Sequence, residues 1–316
     1  MQQLREFRFD VASAISRGQR PYQEDALVAD FPLGADLGFV VLADGMGGHA
    51  AGDVASKIVV TEVFSELKLQ SGDPDEFAAN LPEILRNAAM AANDCVKVHV
   101  EEHNETAGMG ATLVAPVLVG RHLFWISIGD SPLFLFRNGE LRQLNEDHSM
   151  APQIDFMIRS GMMSEAVGRD HPDRNCLTSV LGGENIPRID CPNEPFELND
   201  GDILVVASDG LQFLEEDEIA AVLAGAGERP SSVIAQKFLS LLEETADPEQ
   251  DNASFSVIRV RQEKAQARRR PARRRPANAD YPMQGNGKDV PIAAAPSRLT
   301  SALFMKGASL FRSISE

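Results

Sequence analysis

Residues 40–52, VVLADGMGGHAAG, decide how this chain is read. An apolar run reaches an acid, Asp44; a glycine-rich turn follows, and small residues open a helix. An aspartate where a buried strand ends projects its carboxylate from a rigid edge instead of a loose loop. Gly45, Gly47 and Gly48 let the backbone turn sharply and bring a carbonyl close to whatever Asp44 holds. The same letters also suit an ordinary Asp-Gly turn between strand and helix. Their meaning therefore depends on what the rest of the chain sets beside them.

Four further acids share the style. Asp130 and Asp209, like Asp44, each follow an apolar run and sit next to a small residue; Asp25 and Asp251 stand just before such runs. If sheets pack face to face, one edge of the fold gathers all five. Two bare carboxylates about 4 Å apart repel by about 1 kcal/mol in water and about 4 kcal/mol at an effective dielectric near 20. Five together need cations. Oxygen-only ligands select hard ions, Mg2+ or Mn2+, over zinc, and no His/Cys cluster competes. Two such ions form a clamp for in-line phosphoryl displacement and lower the pKa of a shared water.

Outward from that stretch, alternation predicts a strand over 7–16; 26–30 reads as a short strand and 37–43 as a buried one, and apolar spacing predicts helices over 50–69 and 76–102, with Asn80 and Pro82 marking a start or restart of the second helix. Two β-rich runs, 111–119 and 122–128, flank Gly120-Arg121; a strand over 133–137 turns at Asn138-Gly139. Residues 145–187 read as less regular, with a short helix near 151–160. A buried strand over 203–207, helices over 215–224 and 231–244, and a strand over 253–260 complete the body. This order is no regular βα alternation. It predicts an α+β fold with antiparallel sheets packed face to face and helices outside.

The 316 residues are long enough for a real core. No apolar run approaches the roughly 18 residues of a membrane span, and the first residues lack a basic-then-apolar leader pattern. Three scattered cysteines, Cys95, Cys176 and Cys191, form neither a disulfide frame nor a zinc site and fit a reducing, cytoplasmic setting. Charge is uneven: residues 263–316 hold 11 Lys+Arg against 4 Asp+Glu, and residues 1–262 hold 19 against 43. A body carrying −24 repels nucleic acid. The boundary predicts a catalytic domain over 1–262 and a disordered Arg/Pro/Ala-rich linker over 263–316. In its last part Leu299, Leu303, Leu310 and Ile314 share one helical face. That short amphipathic helix suits either an anionic membrane surface or a protein partner.

The ordered set Arg20-x-x-x-Glu24-Asp25, Asp44-Gly45-Met-Gly-Gly-His49, Gly110-Ala-Thr-Leu, Gly129-Asp130-Ser131, Ser208-Asp209-Gly210 and Asp251-Asn252 resembles the metal-dependent protein phosphatases, the PPM family, also called type 2C. The motifs cover roughly residues 8–260 in the family's order, and residues 171–178 with Leu181-Gly182 resemble a bacterial segment of it. The resemblance implies a four-layer α-β-β-α sandwich with two central antiparallel sheets. It implies a protein serine/threonine phosphatase using two Mn2+ or Mg2+ ions, with a third, weaker one, and direct attack on phosphorus by the water bridging the two metals. Asp44 would bridge the ions, with the Gly45 carbonyl on one of them. Asp209 and Asp251 would complete the first, Glu24 and Asp25 would act near the second, and Asp130 matches the acid of the third. Arg20 matches the arginine that grips substrate phosphate, for which a guanidinium fork is suited; Arg17 competes for that role. His49 fits a general acid or substrate contact, and equally a cap of the following helix. Asn252 is read as orienting the last strand.

Two positions depart from the pattern: Pro132 stands where many bacterial members carry Arg, and Gln23 where Asn is frequent. Residues 145–175 match the family's mobile flap. Met150, Met157, Met162 and Met163 there suit either a satellite core or an adaptable substrate-selecting lid. The implied partners are phosphoproteins and a cognate kinase system. Two alternatives differ in role: a phosphatase of partner-switching regulators, and a phosphoprotein-binding pseudophosphatase. Intact Asp44, Asp209 and Asp251 argue against the second.

Overall fold

A computed structural model describes residues 5–47, 50–245 and 247–264. His49 and the proposed C-terminal helix lie outside the described residues. Among the described residues, eleven strands form two antiparallel sheets. One has the order β1 (Arg5–Ser16), β11 (Ala253–Lys264), β10 (Ile203–Ala207), β7 (Leu133–Arg137), β8 (Glu140–Gln143). The other runs β2 (Asp25–Asp30), β3 (Leu37–Met46), β5 (Leu113–Val119), β6 (His122–Ile128), β9 (Phe196–Glu197), with the short β4 (Gly110–Ala111) on the end of β3. Helices α1 (Ala50–Gln70) and α2 (Pro74–Glu102) cover the second sheet; α5 (Glu216–Gly225) and α6 (Ser231–Thr245) cover the first. The expected four-layer sandwich is present.

Strand alternation builds three cores at once. In β3, Phe39, Val41 and Ala43 pack toward α1 and α2. Val40 and Leu42 point the other way, into the space between the sheets, where they meet Leu135, Leu204, Val206 and Ile258. Phe255 and Val257 of β11 face α5 and α6 with Phe238. A strand apolar on both faces must be covered twice, which is why two helical layers are needed.

Several boundaries differ from the sequence reading. Helix α2 starts at Pro74, capped by the Asp73 carboxylate, which accepts the Asp75 and Glu76 N–H groups at 3.0 and 3.3 Å. Pro82 lies inside this helix without breaking it. Asp44 does not end its strand: β3 runs on to Met46. The run expected over 111–119 is interrupted at Thr112, whose N–H turns to the Asp44 carbonyl at 2.8 Å. Strand β8, unforeseen, closes a hairpin on Asn138 (φ 54°) and Gly139 (φ 89°). The irregular region holds α3 (Ala151–Arg159), as expected, and also α4 (Glu165–Arg169). Among the described residues no helix is long and apolar enough to cross a membrane.

Candidate metal centre

The alternation that sends Val40 and Leu42 between the sheets delivers the next residue of that face, Asp44, to the open end of the inter-sheet core. Asp25 stands directly opposite it in β2. The other sheet contributes from its matching edge. Asp209 opens the turn leaving β10, Asp251 lies just before β11, and Asp130 sits in the connection from β6 to β7. The two sheets are joined here by the Ser208 hydroxyl, which donates to Asp25 Oδ2 at 2.8 Å. All five acids singled out in the sequence thus come to one edge.

Their electrostatics show the crowding. Burial pushes the Asp25 carboxyl up to about 6, the Ser208 and Ser254 hydroxyls pull it back, and Asp209 and Asp251 add to the rise. Burial also pushes Asp130 up to about 7, helped by the charges of Asp209 and Asp147. Asp44 is raised well above the carboxylate range by burial and then by Asp25, Asp209 and Asp130. Burial and Asp251 raise Asp209, while its hydrogen bond with Asp44 and the charge of Arg20 lower it. Among the described residues no three His, Cys, Asp or Glu side chains form a closed ligand cage. Asp251 is instead held by Arg20, whose Nη2 lies 2.5 Å from its Oδ2.

The donor set nevertheless fits hard cations. It is all oxygen, and Asp25 Oδ1 and Asp209 Oδ1 are buried with no hydrogen-bond partner, an arrangement that is unfavourable unless something positive meets them. Gly45 admits the close approach the site needs. Its N–H donates to the Glu24 carbonyl at 3.1 Å, and a Cβ there would stand 2.0 Å from the Gly52 carbonyl oxygen. Glu24, beside Asp25, brings its Oε1 to within 2.9 Å of where a Cβ on Gly52 would be.

Three supports were not foreseen as such. Thr112 holds the backbone of Asp44 from both sides: besides donating its N–H, it accepts the Asp44 N–H on Oγ1 at 2.9 Å. That hydroxyl also meets Ser131 Oγ at 2.8 Å, which ties the Asp130 turn to β3. The only trace in the sequence is the threonine of the Gly110-Ala-Thr-Leu motif. Asp147, which helps raise Asp130, follows no strand and carried no signal. Asn252 does not serve the last strand alone; its side chain turns back to residues 17–24. Of the two candidate arginines, Arg20 reaches the acids. Arg17 offers its backbone carbonyl to Asn252. The start of the 145–175 region is tied to the same edge by buried His148, whose Nδ1 accepts the Gly129 N–H at 3.3 Å.

Comparison with known proteins agrees with this architecture. The family model described as protein phosphatase 2C matches residues 12–260. A serine/threonine phosphatase, stp, of Listeria welshimeri is 34% identical over 185 residues, covering 58% of this chain and 71% of the relative. The crystal structure of the Mycobacterium tuberculosis serine/threonine phosphatase PstP/Ppp superposes with a TM-score of 0.64 at 29% identity, over 80% of this chain and 98% of that one. A structure of the PstP catalytic domain in complex with two manganese ions gives 0.63 at 29% identity, over 82% and 100%. With the match spanning both sheets and all five acids, the chain belongs to the protein phosphatase 2C family of metal-dependent serine/threonine phosphatases.

Proposed function

We propose that this chain removes phosphate from phosphoserine and phosphothreonine in proteins, with Asp44, Asp209 and Asp251 on a first divalent ion and Glu24 and Asp25 near a second. The Gly45 carbonyl would bind one of these ions, and Asp130, with Asp147 nearby, would serve a third, weaker ion. Mn2+ or Mg2+, when bound, supplies a water of lowered pKa and neutralises charge on the transferring phosphoryl group. The observation that carries the reading is the set of four buried or half-buried carboxyls, Asp25, Asp44, Asp130 and Asp209, each pushed up by burial and by its neighbours.

The remaining roles belong to the chain itself. Arg20 is about half exposed and spends one nitrogen on Asp251, so the rest of its fork is available to two phosphate oxygens. The Thr112 bonds hold the Asp44 backbone in place, so that its carboxylate would meet a cation in a fixed position. The region 145–175 is the lid beside the site, and His49 the candidate proton donor to the leaving alcohol. The catalytic unit takes residues 1–262, and the basic stretch 263–316 is a tether to an anionic surface or partner; the charge asymmetry supports that division. The setting is cytoplasmic, opposite a serine/threonine kinase.

The test is phosphate release from p-nitrophenyl phosphate and from a phosphothreonine peptide, with Mn2+ and with chelator. Turnover should require the metal and vanish in Asp209→Ala. Activity that survives chelation, or is unchanged in that variant, refutes the assignment.

A further inference from the structure

We propose that Asn252 is a positioning residue, locking the phosphate-gripping loop to the metal-binding turn so that Arg20 and the acids act at one fixed separation. The inference rests on the function proposed above and extends it.

Asn252 is buried, 4% exposed. Its Oδ1 accepts the Glu24 N–H at 2.6 Å. Its Nδ2 donates to the carbonyls of Arg17 at 2.8 Å and Tyr22 at 3.0 Å. Its own N–H donates to Asp251 Oδ1 at 2.7 Å. One amide thus uses both donor hydrogens and its acceptor on a single loop more than 200 residues away in sequence. The three contacts bracket Arg20 from both sides. Only a primary amide supplies two donors and one acceptor in this fork; a carboxylate would face two carbonyls with no hydrogen to offer.

Beside these bonds, Gln23 Nε2 donates to the Ser16 carbonyl at 3.1 Å and the Glu24 carbonyl accepts the Gly45 N–H at 3.1 Å. Residues 17–24 form no helix or strand, and Arg17, Gln19, Arg20, Pro21 and Tyr22 are exposed. What fixes them is the turn at 250–252: Gln19 N–H donates to the Gln250 carbonyl at 2.9 Å, and Gly18, at φ 58°, leaves only 2.2 Å between a would-be Cβ and the Asp251 carbonyl oxygen. Arg20 then lands on Asp251. The amide oxygen of Asn252 is engaged by Glu24, so its part is to hold the framework and not to ligate. Without it, Arg20 is tethered at fewer points, and substrate phosphate must order the loop on binding. That penalty falls on affinity more than on the chemical step.

The experiment uses the full chain with Mn2+ and a phosphothreonine peptide, comparing Asn252→Ala, Asn252→Asp, Arg20→Ala and the double variant R20A/N252A. Asn252→Ala should raise KM and the inhibition constant of inorganic phosphate by roughly ten-fold, with kcat changed far less. Arg20→Ala should add little in the N252A background, because both changes remove one function. Amide hydrogen exchange over residues 17–24, read without metal, should quicken in N252A and N252D and stay as in the parent in R20A. Multiplying KM effects in the double variant, or parental exchange and KM in N252D, overturn the inference. If N252A does not fold, the cycle with N252D decides in the same way. A parent chain inert toward the peptide with Mn2+ overturns the phosphatase reading itself; an active parent with independent effects overturns only the role of Asn252.

Discussion

Chelating the metal and then moving the pH from about 5 to about 8 tests the crowded carboxylates directly. In the metal-free fold, Asp25 titrates at about 6 and Asp130 at about 7, against 3.8 for each when unfolded. A folded pKa raised above its unfolded value means the folded state holds its proton more tightly. The associated stability is complete below about pH 4 and is lost as pH rises through 6 and 7. Treated independently, at about 1.4 kcal/mol per unit, the two groups remove about 4 kcal/mol between pH 5 and pH 8. For a domain of this size that is a fall in Tm of roughly 10 °C. Asp44 and Asp209 are raised for the same causes and act in the same direction. Cations compete with these protons, so Mn2+ should raise Tm far more at pH 8 than at pH 5. Calorimetry in chelator and in Mn2+ at the two pH values reads the effect, and Asp25→Asn with Asp130→Asn should flatten the metal-free slope. A metal-free Tm that climbs from pH 5 to pH 8, or an equal Mn2+ gain at both, would refute the electrostatic argument.

Other outcomes follow from single contacts. Thr112→Val keeps the shape but leaves the Asp44 N–H without its acceptor; thermal melts should show a loss of about 1–3 kcal/mol, and metal-dependent turnover should fall with it. Gly45→Ala forces a Cβ to within 2.0 Å of the Gly52 carbonyl oxygen, so β3 and α1 must separate, and Mn2+ affinity by calorimetry should drop together with Tm. A chain ending at Lys264 should turn over p-nitrophenyl phosphate as the full chain does while changing location or partner choice; loss of small-substrate activity would show that the tail belongs to the catalytic unit.

Local chemistry made much of this protein legible before any coordinates. The apolar run of 37–43, the helical spacing of 50–69, and the small residues flanking Asp130 and Asp209 are properties of neighbours in the chain, and each survived in the fold, although β3 runs on past Asp44. The ordered acidic motifs named the family because each is a short strand-edge signature. The same locality explains the misses. Pro82 looked like a break, yet packing carries α2 through it. Thr112 read as one more β residue, yet it leaves the strand to hold Asp44. Asp147 had no pattern at all. Asn252 facing residues 17–24, Ser208 reaching Asp25 from the opposite sheet, and Arg20 choosing Asp251 join residues 183 to 235 positions apart. Sequence alone determined which residues were acidic, buried and strand-borne. Only the tertiary structure decided which of them meet, because alternation sets the face a side chain takes, while its partner across the gap is set by the register and stacking of two sheets assembled from distant parts of the chain.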